Sequence, residues 1–184
     1  MMRTRWVLSC GPSQLPPSLI AVVKIADVAV PDRIPIKHEP GYRTEYVGHH
    51  AQGLFLGGVI GSYLAAWHTD LSRDDLRWYA YLHHFDEIGK YLCSDIELAG
   101  INVEGQAQVV ARAQALLDEW LSQLDDLGYG DVAVSLFETR YDGILFGLVD
   151  ESNDDPDEGH GGDWVELYPD RLGFHAPWNG EYDT

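Results

Sequence analysis

The stretch WYAYLHHFDEIGKYLCSDIEL, residues 78–98, decides how the rest of the 184-residue chain is read. Successive side chains of a strand point to opposite faces. Trp78, Ala80, Leu82 and His84 therefore share one face, and Tyr79, Tyr81, His83 and Phe85 share the other. Aromatic residues at this density suit a pleated, half-buried surface. Asp86-Glu87-Ile88-Gly89 supplies the turn: Asp86 offers a side-chain acceptor, and Gly89 tolerates the positive φ that a four-residue hairpin loop needs. On the return strand, alternation assigns Leu92, Ser94, Ile96 and Leu98 to one face and Tyr91, Cys93, Asp95 and Glu97 to the other. The first set is expected beneath a helix. The second, with its two carboxylates, is expected to meet water or a partner.

Outward from the hairpin, residues 103–124 carry a helical stripe. Val109, Ala113, Leu116, Leu117, Trp120, Leu121 and Leu124 recur at spacings of three and four, with Asn102 as the expected N-cap and Glu104 in the first turn. After Asp131 the period returns to two. Residues 132–137 and 144–149 read as a second hairpin about the turn Tyr141-Asp142-Gly143, and 164–168 as a further strand. Upstream, the glycine-broken apolar run around residues 54–63 reads as a buried strand whose glycines mark a bulge or a close backbone approach. The 17 uncharged residues 51–67 lie at the bottom of the ~17–25 a membrane helix needs. The order strand, hairpin, helix, hairpin, strand implies an α+β fold: two layers, with a mainly antiparallel sheet and one long helix packed on one face. Residues 1–33, rich in proline, read as an irregular arm, and 34–184 as a single α+β domain with an acidic loop at 150–163.

Charge narrows the partners. Twelve basic residues stand against thirty acidic ones, a net of −18. The imbalance lies almost wholly in residues 78–184, where Lys90, Arg112, Arg140 and Arg171 are the only Lys or Arg. Such a body repels nucleic acid and anionic membrane and attracts basic proteins. Cys10 and Cys93 are too few and too far apart for a disulfide framework, which fits reduced thiols in a cytoplasmic protein. Arg3 and Arg5 ahead of Cys10 suggest a lipoprotein signal only faintly, because the apolar run between them is short of the usual ~7–15 residues.

No catalytic motif stands out. The glycines at 53, 57, 58 and 61 fit neither a dinucleotide fingerprint nor a P-loop, and no cofactor is implied. The eight histidines lack metal-ligand spacing, and His83 and His84, adjacent in a strand, point apart. Asp155, Asp157 and Glu166 fall at EF-hand offsets one, three and twelve, but Gly159 and His160 occupy the wrong places, so no metal site is expected. Cys93 has no basic sequence neighbour to stabilise a thiolate.

At the C-terminus, WVELYPDRLGFHAPWNGEYDT, together with RWYAYLHHFD, resembles an uncharacterised group of acidic bacterial proteins that end in a YPD-x-LGFH-x-PW-x-G-x-YDT-like phrase. The likeness spans residues 33–184 and implies a shared fold; no activity is known for the group, so it carries no site residue across.

The reading that follows is a non-enzymatic acidic binding protein, in one form an immunity-type inhibitor of a basic toxin. Tyr91, Asp95 and Glu97 on the open sheet face, and Asp150, Glu151, Asp154, Asp155, Asp157 and Glu158 in the acidic loop, would receive the basic protein. The alternative is a small metal-dependent or acid/base hydrolase using His83, Asp95 and Glu97 on one face.

Overall fold

The computed structural model describes residues 29–64, 72–153 and 162–184. The fold is α+β, with antiparallel sheets and one long helix. Its centre is a five-stranded sheet in the order β5-β4-β3-β2-β6, made of β2 (Tyr46–His50), β3 (Gly53–Ser62), β4 (Arg77–Phe85), β5 (Tyr91–Ile101) and β6 (Gly128–Tyr129). A four-stranded sheet, β11-β10-β9-β8, comprises β8 (Phe137–Tyr141), β9 (Ile144–Asp150), β10 (Trp164–Tyr168) and β11 (Leu172–His175). A short pair joins β1 (Ile34–Ile36) to β7 (Val132–Val134).

The hairpin forms as its sequence predicts. Asp86 Oδ1 accepts from the backbone N–H groups of Ile88 at 3.0 Å and Lys90 at 2.8 Å, and Gly89 takes φ +80°. That geometry suits an Asx-type turn closed by glycine.

Each face of β4 has a different cover. Ala80 and Leu82, with Phe55 of β3 and Ala99 of β5, pack under α1 (Gln106–Leu121) against Val109, Ala113, Leu117 and Leu121. Tyr79, Tyr81 and Phe85 face the other way, against Phe137, Phe146 and Leu148 of the four-stranded sheet and Ile34 and Val134 of the short pair. The helix-on-sheet unit is therefore present, and a second sheet closes the face opposite the helix. A central strand apolar on both faces is what such a position requires.

Several boundaries differ from the sequence reading. The helix begins at Gln106, after a 3₁₀ turn at Asn102–Glu104 and a Gly105 with φ +105°, so Asn102 does not cap it. Instead the Asn102 side chain accepts from Trp78 Nε1 at 3.2 Å and donates to the Arg73 carbonyl at 3.0 Å. Residues 132–137 do not make one strand: β7 leaves to pair with β1, and β8 begins at Phe137 to pair with β9 about the expected Asp142-Gly143 turn. The C-terminal stretch contributes β11, with Phe174 and Trp178 buried. Residues 53–62 of the uncharged run form β3, and among the described residues no helix is long and apolar enough to cross a membrane. Of the proposed arm, residues 1–28 lie outside the described residues.

Candidate functional site

The set Tyr91, Asp95 and Glu97 is divided by the fold. Phe85 pairs with Tyr91, but His84 pairs with Cys93, so Leu92 is an extra residue bulged out of β5 and 56% exposed. One extra residue reverses the alternation. Tyr91 turns toward the four-stranded sheet, where its ring stacks on Phe137 with centroids 4.7 Å apart. Asp95 and Glu97, opposite Leu82 and Ala80, stay on the helix side. The same phase change corrects the apolar set: Ile96 and Leu98 lie opposite Tyr81 and Tyr79 and pack toward the second sheet, not beneath α1.

The hydrolase set is divided too. His83 is wholly buried on the face away from Asp95 and Glu97. Its Nδ1 is 2.6 Å from Ser94 Oγ, which in turn is 2.9 Å from Tyr91 Oη, and its Nε2 has no hydrogen-bond partner among the described residues. Desolvation, reinforced by the neighbouring His84 charge, lowers its pKa to about 3, which keeps the ring neutral. His84, on the helix side, holds Asp95 instead, Nε2 to Oδ2 at 3.0 Å. Cys93 is exposed opposite His84, whose imidazole is thus already engaged. Among the described residues no group of three His, Cys, Asp or Glu could hold a metal ion.

The loop residues fare differently. Asp150 ends β9, and Glu151 accepts from Tyr168 Oη at 2.9 Å. Asp150 belongs to the second sheet and Glu151 follows it, its N–H donating to the Trp164 carbonyl, whereas Asp95 and Glu97 lie in the central sheet. Asn153 and Gly162 bridge the base of the loop. Asp154, Asp155, Asp157 and Glu158 lie outside the described residues. Glu166, the last of the calcium offsets, is buried and paired with Arg171.

What the fold gathers on the helix side is a different group of acids. Asp118 and Glu119 sit in the last turn of α1, and Asp125 and Asp126 lie in the turn beyond its C-cap Ser122. With Glu97, none of them has a cationic partner among the described residues. Two of the four cations in residues 78–184 are already spent internally, Arg112 on Glu104 and Arg171 on Glu166. The helix carries no acid in its first turn and no base in its last. Its charges therefore oppose its dipole, at a cost of about 0.3–1 kcal/mol per misplaced group.

Beside this helix end a polar cleft of about 260 Å³ opens where β2 begins. β2 covers β3 only as far as Gly57, so among the described residues the rest of β3 has no strand on that side. The turn carrying Tyr42, Arg43 and Glu45 forms one wall, and Tyr46 with Gln114 of α1 the other. Gln114 Nε2 donates to Tyr46 Oη and to Asp118 Oδ1, both at 2.9 Å, so the cleft adjoins the acidic helix end. Burial first, then Glu45 and Asp118, raise the Tyr46 pKa; Tyr129 is raised by burial and the same two acids.

Tyr81 and Asp170 meet within the cleft. Asp170, in the β10–β11 turn, accepts from Tyr81 Oη through Oδ2 at 2.7 Å. Its Oδ1 has Arg43 Nη1 at 3.6 Å, an ion-pair contact longer than a hydrogen bond. The carboxylate is only 8% exposed, and burial raises its pKa despite Tyr81 and Arg43. Burial likewise holds the Tyr81 phenol well above its ordinary value. Gly58 makes this possible: a Cβ there would stand 2.8 Å from Tyr81 Oη. No local pattern marks these residues, because Arg43, Tyr81 and Asp170 come from three distant parts of the chain. No family model, curated protein or solved structure matches the chain.

Proposed function

We propose that the chain is a cytoplasmic, non-enzymatic acidic binding protein that docks a basic protein on the helix side of its central sheet. An immunity-type inhibitor of a basic toxin is its most concrete form. The observation that carries the reading is the charge of α1 set against its dipole. Asp118 and Glu119 oppose the dipole of the helix that bears them, and no cation among the described residues pairs with them to offset the cost. A cationic partner at this end would relieve that repulsion, so folding and binding call for opposite charges there. Asp95, Glu97, Asp125 and Asp126 extend the negative field and would steer a basic surface toward it.

The test is co-expression with the products of the flanking reading frames, followed by stopped-flow association with the basic protein retained. Association should slow by about ten-fold or more between low and high salt, and again in the combined variant Asp118→Asn, Glu119→Gln, Asp125→Asn. Retention of no basic protein, or a rate indifferent to both salt and the variant, would overturn the reading.

A further inference from the structure

The cleft bounded by Tyr42, Glu45, Tyr46, Tyr81 and Asp170 has its own chemistry, distinct from a diffuse acidic surface. It is concave, walled by tyrosines, and holds a buried carboxylate whose Oδ1 has, among the described residues, only the long 3.6 Å contact with Arg43. At about 260 Å³ it is smaller than the ~300–1,000 Å³ typical of small-molecule sites. One side chain fills such a space better than a cofactor does. Aromatic faces attract cations, and a carboxylate accepts the paired N–H donors of a guanidinium.

The cleft's own cation supports this. Arg43 is 46% exposed and approaches Asp170 only to 3.6 Å. It partly balances the carboxylate without completing its hydrogen bonds. A guanidinium entering from outside can supply the missing donors while Arg43 swings toward solvent. Glu45 leaves the cleft net negative after Arg43 is counted, and Asp118 adds to that field through the Gln114 bridge.

We propose that this cleft is the socket for one arginine side chain of the basic partner, with Asp170 as its principal acceptor and Tyr42 and Tyr46 as its aromatic walls. This deepens the docking reading and rests on it. Interfaces concentrate their energy in a few anchors, arginine prominent among them, seated in well-packed pockets. A lysine would present a point charge where the cleft offers a planar carboxylate and tyrosines in its lining, so arginine is the better fit.

The experiment is an NMR titration of the full chain with N-acetyl-arginine amide. N-acetyl-citrulline amide serves as the uncharged isostere and N-acetyl-lysine amide as the cationic control. Saturable shifts should appear at the Gly58 backbone amide and the Gln114 side-chain amide with the arginine probe, weaker with lysine and absent with citrulline. Asp170→Asn should weaken the arginine probe about ten-fold while leaving the fold intact, because Asn still accepts the Tyr81 hydroxyl. Glu45→Gln provides a second weakening that leaves the buried pair untouched. Unsaturable shifts spread over the surface acids, or equal binding by Asp170→Asn, would overturn the socket. If the socket fails while salt-dependent partner association persists, the docking reading stands alone. If no basic partner binds but the probe saturates the cleft, the docking reading fails and the socket survives as a site for a free guanidinium.

Discussion

His83 should set the acid limit of this protein. Its ring is fully buried among Tyr81, Phe137 and Phe146, with one nitrogen on Ser94 and the other without a partner among the described residues. The native state holds it neutral, with a pKa near 3 against 6.5 in the unfolded chain. The folded pKa is depressed, so below 6.5 the unfolded chain binds a proton that the native state refuses. Stability is complete above pH 6.5 and drains as pH falls toward 3, at about 1.4 kcal/mol per pH unit. By about pH 4.5 the loss is about 2.7 kcal/mol, a large share of a typical net stability of ~5–15 kcal/mol. His83→Phe keeps a ring in the same packing, removes the unpartnered nitrogen and leaves Ser94 its contact with Tyr91. The assay is urea unfolding of both proteins followed by tryptophan fluorescence, at several pH values from about 7 to 4.5. Titrations common to both cancel in the difference. The variant should gain on the wild type by about 2.7 kcal/mol across that range, whatever its offset at neutral pH. Parallel loss of stability in the two proteins would refute the reasoning.

Asp170 tests the opposite sign. Burial raises its pKa, so its contribution to stability is present while it is protonated and is lost as pH rises through the folded value. Asp170→Asn should therefore gain stability on the wild type above that pH, whereas Asp170→Ala, by stranding the buried Tyr81 hydroxyl, should cost about 1–3 kcal/mol in the same denaturation series. Asp118→Asn with Glu119→Gln should raise the melting temperature at low salt, a stability gain of about 0.3–1 kcal/mol per charge removed, and the gain should shrink in high salt; a lower melting temperature would refute the dipole argument. Asp86→Ala removes the acceptor for two backbone N–H groups in the β4–β5 turn and should cost about 1–2 kcal/mol by chemical denaturation, with Asp86→Asn largely restoring it.

The parts of this fold governed by short-range pattern are plain in the chain. The Asp86–Gly89 turn, the two faces of β4 and the stripe from Val109 to Leu121 follow from local spacing, and the structure has them where the spacing puts them. The second sheet left a sign as well: Trp78, Ala80 and Leu82 on one side of β4 and Tyr79, Tyr81 and Phe85 on the other leave neither face fit for water. The bulges left none. Leu92 and Ala99 continue an ordinary alternation of types, and only the pairing register shows that each is supernumerary. That single slip separates Tyr91 from Asp95 and sends Ile96 and Leu98 to the opposite core. The Tyr81–Asp170–Arg43 constellation was equally silent, since its members are joined by tertiary packing and by the missing Cβ of Gly58.

The bulge at Leu92 also makes the hairpin tolerant of a change in length. Removing Leu92 would leave Tyr91 opposite Phe85 and bring Cys93 next in line opposite His84, an uninterrupted ladder with every other side chain on its present face. A single deletion from Ser94 to Leu98 would close the same bulge but reverse the faces of the residues between Tyr91 and the gap, setting Cys93 in place of Ser94 opposite the buried His83. A deletion scan of β5 scored by soluble yield should therefore spare position 92 and reject its neighbours from Ser94 to Leu98. In a lineage of such chains, this is the joint at which strand length can drift without loss of the fold.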